Sequence, residues 1–212
     1  MIAALLSCVA LAYLCGSLPF GLWVGRLARG VDVRTMGSGN LGATNVYRSL
    51  GPALGILTLL LDIAKGALPV WLLPHAPFAA AFPGGPEWCR LAVGFAAVAG
   101  HVWTFLAGFK GGKGVATTVG VLLALAPAAF GVFVLVFLLV VAVTRYISLG
   151  SSLGAICFAV TLGFVAPGGT RGPTFLLGVL LALLVLFRHR DNYRRLLRGE
   201  ERRFAFRGGR AS

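Results

Sequence analysis

The chain alternates long apolar runs with short polar segments. Residues 1–25 hold no charged side chain, and Arg26, Arg29 and Arg34 follow. Further apolar runs lie at about 53–73, 89–107, 115–144, 152–165 and 174–187. A helix rises 1.5 Å per residue, so a run of about 20 residues crosses a hydrocarbon core of roughly 30 Å. A signal peptide carries its positive charge ahead of the apolar stretch. Here the charge comes after it, so residues 1–25 read as a first membrane helix with its N-terminus outside. The second run then returns outward to a Pro/Gly-rich loop at 74–87, and the third comes back to Lys110 and Lys113.

Residues 115–144 are long for one helix, about 45 Å, and Pro127 lies near the middle. One span would place Arg145 and the Arg-rich tail outside. Two short spans with a turn near Pro127 place both in the cytoplasm, where Lys and Arg accumulate. The last two runs form a further hairpin with an outer loop at 166–173. The pattern predicts an all-α, polytopic membrane protein of seven transmembrane helices, some short, with the C-terminus cytoplasmic. Residues 1–203 are expected as one integral membrane domain and residues 204–212 as a mobile basic tail.

Composition agrees. Of 212 residues, 58% are apolar and only 12% charged. That is too little polar surface for a water-soluble domain and too apolar for disorder. The net charge is +13, from 19 Lys and Arg against 6 Asp and Glu, and residues 188–210 hold nine arginines. Such an excess can signal nucleic acid, but here it punctuates apolar runs as cytoplasmic loops do. The four cysteines are scattered, without metal-ligand spacing or a disulfide framework. No internal repeat is evident, which argues against a transporter built from two halves.

On this topology the segments of polar density (30–51, 108–114, 145–152 and the start of the tail) all reach the cytoplasmic face, as parts of one site. The first reads Gly37-Ser-Gly-Asn-Leu-Gly-Ala-Thr-Asn45, with Arg48 after it. Glycines let backbone N–H groups approach an anion, hydroxyls add donors, and an arginine forks onto phosphate. It is neither a dinucleotide fingerprint nor a Walker loop. Turn residues in an ordinary loop explain the glycines equally well. The second reads Gly108-Phe-Lys-Gly-Gly-Lys-Gly114 ahead of an apolar helix, an arrangement suited to an anion. Flanking positive charge is the plainer account of its lysines. Gly111 and Gly112 between them give a ligand access to the backbone. In the tail, His189 and Asn192 stand three apart and can share a helix face. Asp62 and Lys65 lie inside the second span at i, i+3, where mutual neutralisation is the simpler reading. His101 carries no assignment.

Together these motifs resemble the bacterial acyl-phosphate-dependent glycerol-3-phosphate acyltransferases. The likeness rests on Gly37 to Asn45 with Arg48, on Gly108 to Gly114, and on the His-Arg-x-Asn of His189 to Asn192. The resemblance implies seven membrane helices in the bacterial inner membrane and an active site facing the cytoplasm. It also implies an acyl-phosphate donor, no metal, no cofactor and no nucleic acid. The implied partners are glycerol 3-phosphate, acyl phosphate, membrane lipid and an enzyme that makes acyl phosphate. By motif position it implies catalytic roles for Ser38, Lys113 and His189. Substrate binding falls to Gly37, Gly39, Asn40, Gly42, Thr44, Asn45, Arg48, Gly111, Gly112 and Asn192, and the hydroxyl of Ser148 or Ser151, outside these motifs at a helix end, is expected to join them. The His-x4-Asp pattern of another acyltransferase group is absent, since none of His75, His101 and His189 is followed by Asp at that spacing. A carrier for phosphate-bearing anions, using the same loops as a selectivity site, is the alternative.

Overall fold

The computed structural model describes residues 2–166 and 168–204, and every regular element among them is helical. The chain divides into two compact units, Met1–Leu125 and Ala126–Ser212.

The first unit holds α1 (Ile2–Gly16), α2 (Phe20–Arg29), α3 (Ala43–Leu50), α4 (Pro52–Leu72), α5 (Pro86–Val102) and α6 (Val115–Leu125). α1 lies along α5 and α6 along α4, while α4 also touches α1 and α5. Lipid tails are as apolar as leucine, so helices in a membrane gain mainly from close contact, which small residues permit. Both long seams show this from each side. A Cβ at Gly16 would strike the Ala97 carbonyl, and one at Gly100 the Tyr13 carbonyl. In the other seam, Gly66 abuts the Thr117 carbonyl and Gly120 that of Ile63.

The first apolar run is not the single helix expected over residues 1–25. α1 stops at Gly16 and α2 begins at Phe20. Pro19 explains the break, because it has no N–H to return to the preceding turn. Side chains satisfy the carbonyls at the break: Thr104 Oγ1 donates to Ser17 O at 2.5 Å, and Lys65 Nζ to Leu18 O at 2.7 Å. Lys65 is also paired with Asp62 at 2.7 Å, as expected from their spacing.

The 115–144 run is broken where proline predicts. α6 ends at Leu125, and α7 (Pro127–Thr144) opens with Pro127 in its first turn, where a missing N–H costs nothing. Among the described residues, five helical stretches are long and apolar enough to cross a membrane: Ile2–Arg29, Pro52–His75, Pro86–Ala107, Pro127–Thr144 and Ile147–Val165. A sixth forms if the bent pair at Pro173–Arg188 and Arg190–Leu197 is one span. α6 is apolar, but its 11 residues rise only about 16 Å.

The second unit holds α7, α8 (Ile147–Val165), α9 (Pro173–Arg188) and α10 (Arg190–Leu197). α8 is the central helix, with α7 and α9 both against it. Gly154 admits the Phe133 ring of α7, and Gly178 of α9 admits Leu162. α10 leaves α9 at a bend of 48°. The chain then runs without regular structure to Phe204, whose N–H donates to Arg145 O at 2.7 Å. Of the tail expected at 204–212, residues 205–212 lie outside the described residues.

The seams predict a contrast. Gly66→Leu or Gly120→Leu forces two backbones apart and should cost about 1–3 kcal/mol or more. Gly131→Leu in α7, with open space around it, should not. Thermal unfolding midpoints in detergent measure both, and the Gly131 variant is expected to match the parent.

Candidate active site

In the first unit, the segment after α2 is pinned by Asp32. Its carboxylate accepts from Arg34 N–H at 3.0 Å and pairs with Arg34 Nη2 at 2.6 Å and Arg26 Nη2 at 3.2 Å. Hydrogen bonds from the Arg34 side chain, then from its backbone, hold the Asp32 carboxyl well below the usual carboxylate range. The glycine-rich loop that follows is built around Asn45. This side chain is 3% exposed, and its amide donates to Val33 O at 3.0 Å and Met36 O at 3.1 Å. Its Oδ1 accepts from Ser38 N–H at 2.9 Å and Ser38 Oγ at 3.2 Å. Asn45 therefore shapes the loop, and Ser38 is presented on its exposed rim together with Gly37 and Gly39. Gly37 and Gly39 adopt φ of +57° and +69°, a region that side chains disfavour. Asn40 closes the next turn by accepting from Gly42 N–H at 2.8 Å. Thr44 and Arg48 are on α3, Thr44 half-buried in its first turn and Arg48 exposed in its last.

The second loop folds back on the end of α5. Gly111 N–H donates to Val102 O at 3.1 Å and Gly112 N–H to His101 O at 3.2 Å. Gly112 is buried and Lys113 half-buried just ahead of α6, while Lys110 is exposed. Leu41 of the first loop and Gly112 of the second line one small cavity with Gly21 and His101. The two glycine-rich segments are thus neighbours in the fold, one carrying Ser38 and the other Lys113.

In the second unit, His189 occupies the α9–α10 bend and is 2% exposed. Its Nδ1 lies 2.8 Å from Val185 O. A carbonyl only accepts, so Nδ1 carries the hydrogen and Nε2 is the basic nitrogen of the neutral ring. Asn192, one turn on, is 6% exposed. Ser148 and Ser151 are buried in the first turns of α8, and Ser151 Oγ donates back to Ile147 O at 2.9 Å. Ser152 Oγ meets the Tyr193 hydroxyl at 2.6 Å.

Sequence reasoning missed Glu201, which ties these groups together. Its Oε1 accepts from Asn192 Nδ2 and, at 2.9 Å, from Ser148 Oγ. Its Oε2 accepts from Arg195 Nε at 2.8 Å. The only signal was an acid in a segment dominated by arginine. Burial alone would raise the Glu201 carboxyl, but the bonds donated by Asn192, Arg195 and Ser148 outweigh it and hold the group below its ordinary value. Among the described residues, no group of three or more His, Cys, Asp or Glu is placed to hold a metal ion.

A carboxyl depressed on folding stabilises the fold above its unfolded pKa, and that stabilisation is lost as pH falls through the folded value. The thermal midpoint should therefore decline on acidification below the ordinary carboxylate range. Glu201→Gln should lower the midpoint at neutral pH, by about 2 kcal/mol in stability, and flatten that acid decline. Midpoints recorded across pH for the two proteins check this.

The chain matches the profile of the family described as glycerol-3-phosphate acyltransferase over residues 6–199. A glycerol-3-phosphate acyltransferase of Anaeromyxobacter dehalogenans (strain 2CP-C) is 47% identical over 196 residues, covering 92% of this chain and 94% of the relative. One of Geobacter sulfurreducens is 47% identical over 195 residues, with 92% and 95% covered. The crystal structure of PlsY (YgiH), an integral membrane glycerol 3-phosphate acyltransferase in its glycerol 3-phosphate form, is similar with a TM-score of 0.83 and 40% identity. It covers 95% of this chain and 96% of that one. The lysophosphatidic acid form gives 0.82 and 39%, with 95% of each chain covered. With the glycine-rich loops and the His189–Asn192 turn in the same polypeptide, the chain belongs to the glycerol-3-phosphate acyltransferase family.

Proposed function

We propose that this protein transfers a fatty acyl group from acyl phosphate to the 1-hydroxyl of glycerol 3-phosphate. The products are 1-acylglycerol 3-phosphate and inorganic phosphate, and the reaction is the first acylation of bacterial phospholipid synthesis. The observation that carries the reading is 40% identity, along 95% of the chain, with a protein solved in a glycerol 3-phosphate form. The enzyme sits in the inner membrane with its glycine-rich loops toward the cytoplasm, and an enzyme that makes acyl phosphate supplies the donor.

Both substrates carry a phosphate group, which suits loops rich in N–H donors beside Arg48 and Lys113. Arg48, Lys113, His189 and Asn192 bind glycerol 3-phosphate. The loop at 37–45 (Gly37, Gly39, Asn40, Gly42 and Thr44, in the shape that Asn45 gives it), with Ser148 or Ser151, takes the acyl-phosphate head, and Ser38 lies between the two phosphate pockets. Gly111 and Gly112 let the second loop approach its ligand. In the reaction, the hydroxyl oxygen of glycerol 3-phosphate bonds to the acyl carbon, and the acyl–phosphate C–O bond breaks. Phosphate leaves with the electron pair. The hydroxyl proton passes to His189 Nε2 or to a substrate phosphate oxygen. Phosphate is already a good leaving group, so orientation and charge stabilisation supply most of the rate.

Purified protein with glycerol 3-phosphate and acyl phosphate should release lysophosphatidate and free phosphate in equal amounts. Activity with acyl-CoA alone would overturn the donor assignment. Lys113→Ala and Ser38→Ala, folded and inserted, should each lose about a hundredfold or more in kcat/KM. Near-parental turnover in either would remove that residue from the reaction.

A further inference from the structure

His101 takes no part in the function proposed above, yet its surroundings connect it to the second loop. It lies at the end of α5 and is 5% exposed. Its Nδ1 stands 3.6 Å from Asp62 Oδ1, and Asp62 is itself paired with Lys65. The opposite edge of the ring faces the loop. A Cβ on Gly112 would overlap His101 Nε2 and pass 2.8 Å from Cε1. Gly111 has no more room, but its obstacle differs: a Cβ there would meet the His101 carbonyl oxygen, which is backbone. The cavity bounded by Asp62, Lys65, His101 and Gly112 is only about 10 Å³, near the size of a single water and far too small for a phosphate ester. The cluster is a support beneath the loop and not a pocket.

We propose that His101, held from behind by the buried Asp62–Lys65 pair, is a positioning residue: its imidazole is the floor on which Gly112 rests, and so it sets where Lys113 meets glycerol 3-phosphate. This rests on the assignment of Lys113 to that substrate. A charged side chain on a glycine-rich loop is useful only if the loop returns to one place. A buried imidazole with a carboxylate 3.6 Å from one edge, packed at the other against a residue without Cβ, provides that reference. Gly112 is then required as much by the ring beneath it as by any ligand above it.

The two glycines give a test that a general loss of structure would not mimic. Full-length His101→Ala, Gly111→Ala and Gly112→Ala would be purified, with the two double variants that combine His101→Ala with each glycine change. KM for each substrate, kcat and the thermal midpoint would be measured. His101→Ala is expected to raise KM for glycerol 3-phosphate about tenfold, with kcat and the acyl-phosphate KM within about threefold of the parent. Gly112→Ala should raise the same KM, and removal of the ring should relieve it, so that the double variant is no worse than His101→Ala alone. Gly111→Ala should not be relieved, because its obstacle is backbone. An unchanged glycerol 3-phosphate KM in His101→Ala overturns the proposal. So does a Gly112→Ala defect that persists without the ring, or equal relief of both glycine variants. If His101→Ala does not fold, His101→Asn carries the same cycle. Parental acylation of glycerol 3-phosphate is recorded in each series. Its absence would refute the functional reading by itself, and the cycle would then be judged on relief of the thermal midpoint.

Discussion

A cation inside an apolar slab must find acceptors, and in the first unit that requirement falls on Lys65. Its ammonium gives one hydrogen bond to the Leu18 carbonyl, which the Pro19 break leaves without a helical partner. It also stands in contact with the Asp62 carboxylate. Removing either partner would leave a buried charge uncompensated, which is far costlier than the net gain from the pair. α1, α2, α4 and α5 are thereby held at one polar point, since Asp62 lies on α4 beside His101 of α5. The broken first helix is sustainable in lipid because Lys65 and Thr104 satisfy the carbonyls that a continuous helix would have paired.

Around that point the helices meet through absent side chains. Gly16, Gly66, Gly100 and Gly120 bring backbones into contact along two seams. Polar groups near the seams can then reach across: the Tyr13 hydroxyl donates to Trp103 O at 2.6 Å, beside the turn that carries Thr104. Close seams and short polar reach reinforce each other, so the polar cluster stays compact although three different helices contribute to it.

The large features were legible in the sequence because they follow from averages over many residues. The apolar runs, the break at Pro127 and the hairpin at α8 and α9 come from hydropathy and proline chemistry alone. What was not legible depended on single contacts between distant residues. A run without charge reads as one helix, and only the reach of Lys65 and Thr104 to residues 17–18 makes the break at Pro19 stable. The glycine-rich loops were readable as a type, but not that Asn45 would be used inside the first or that Gly112 would lie on His101. Glu201 stood among arginines with no spacing to mark it, and its role arises only where α10 folds toward the start of α8.

That carboxylate lies beyond every membrane helix of the second unit in chain order. Ser148 belongs to the first turn of α8, and Asn192 and Arg195 to α10. During synthesis those three side chains exist before their common acceptor does. The polar cluster of this unit is therefore not assembled helix by helix as the chain enters the membrane. It is complete only when the segment that ends in the Phe204 bond to Arg145 O is in place. A chain that ended before Glu201 would hold the four helices of this unit without the acceptor that Ser148, Asn192 and Arg195 share.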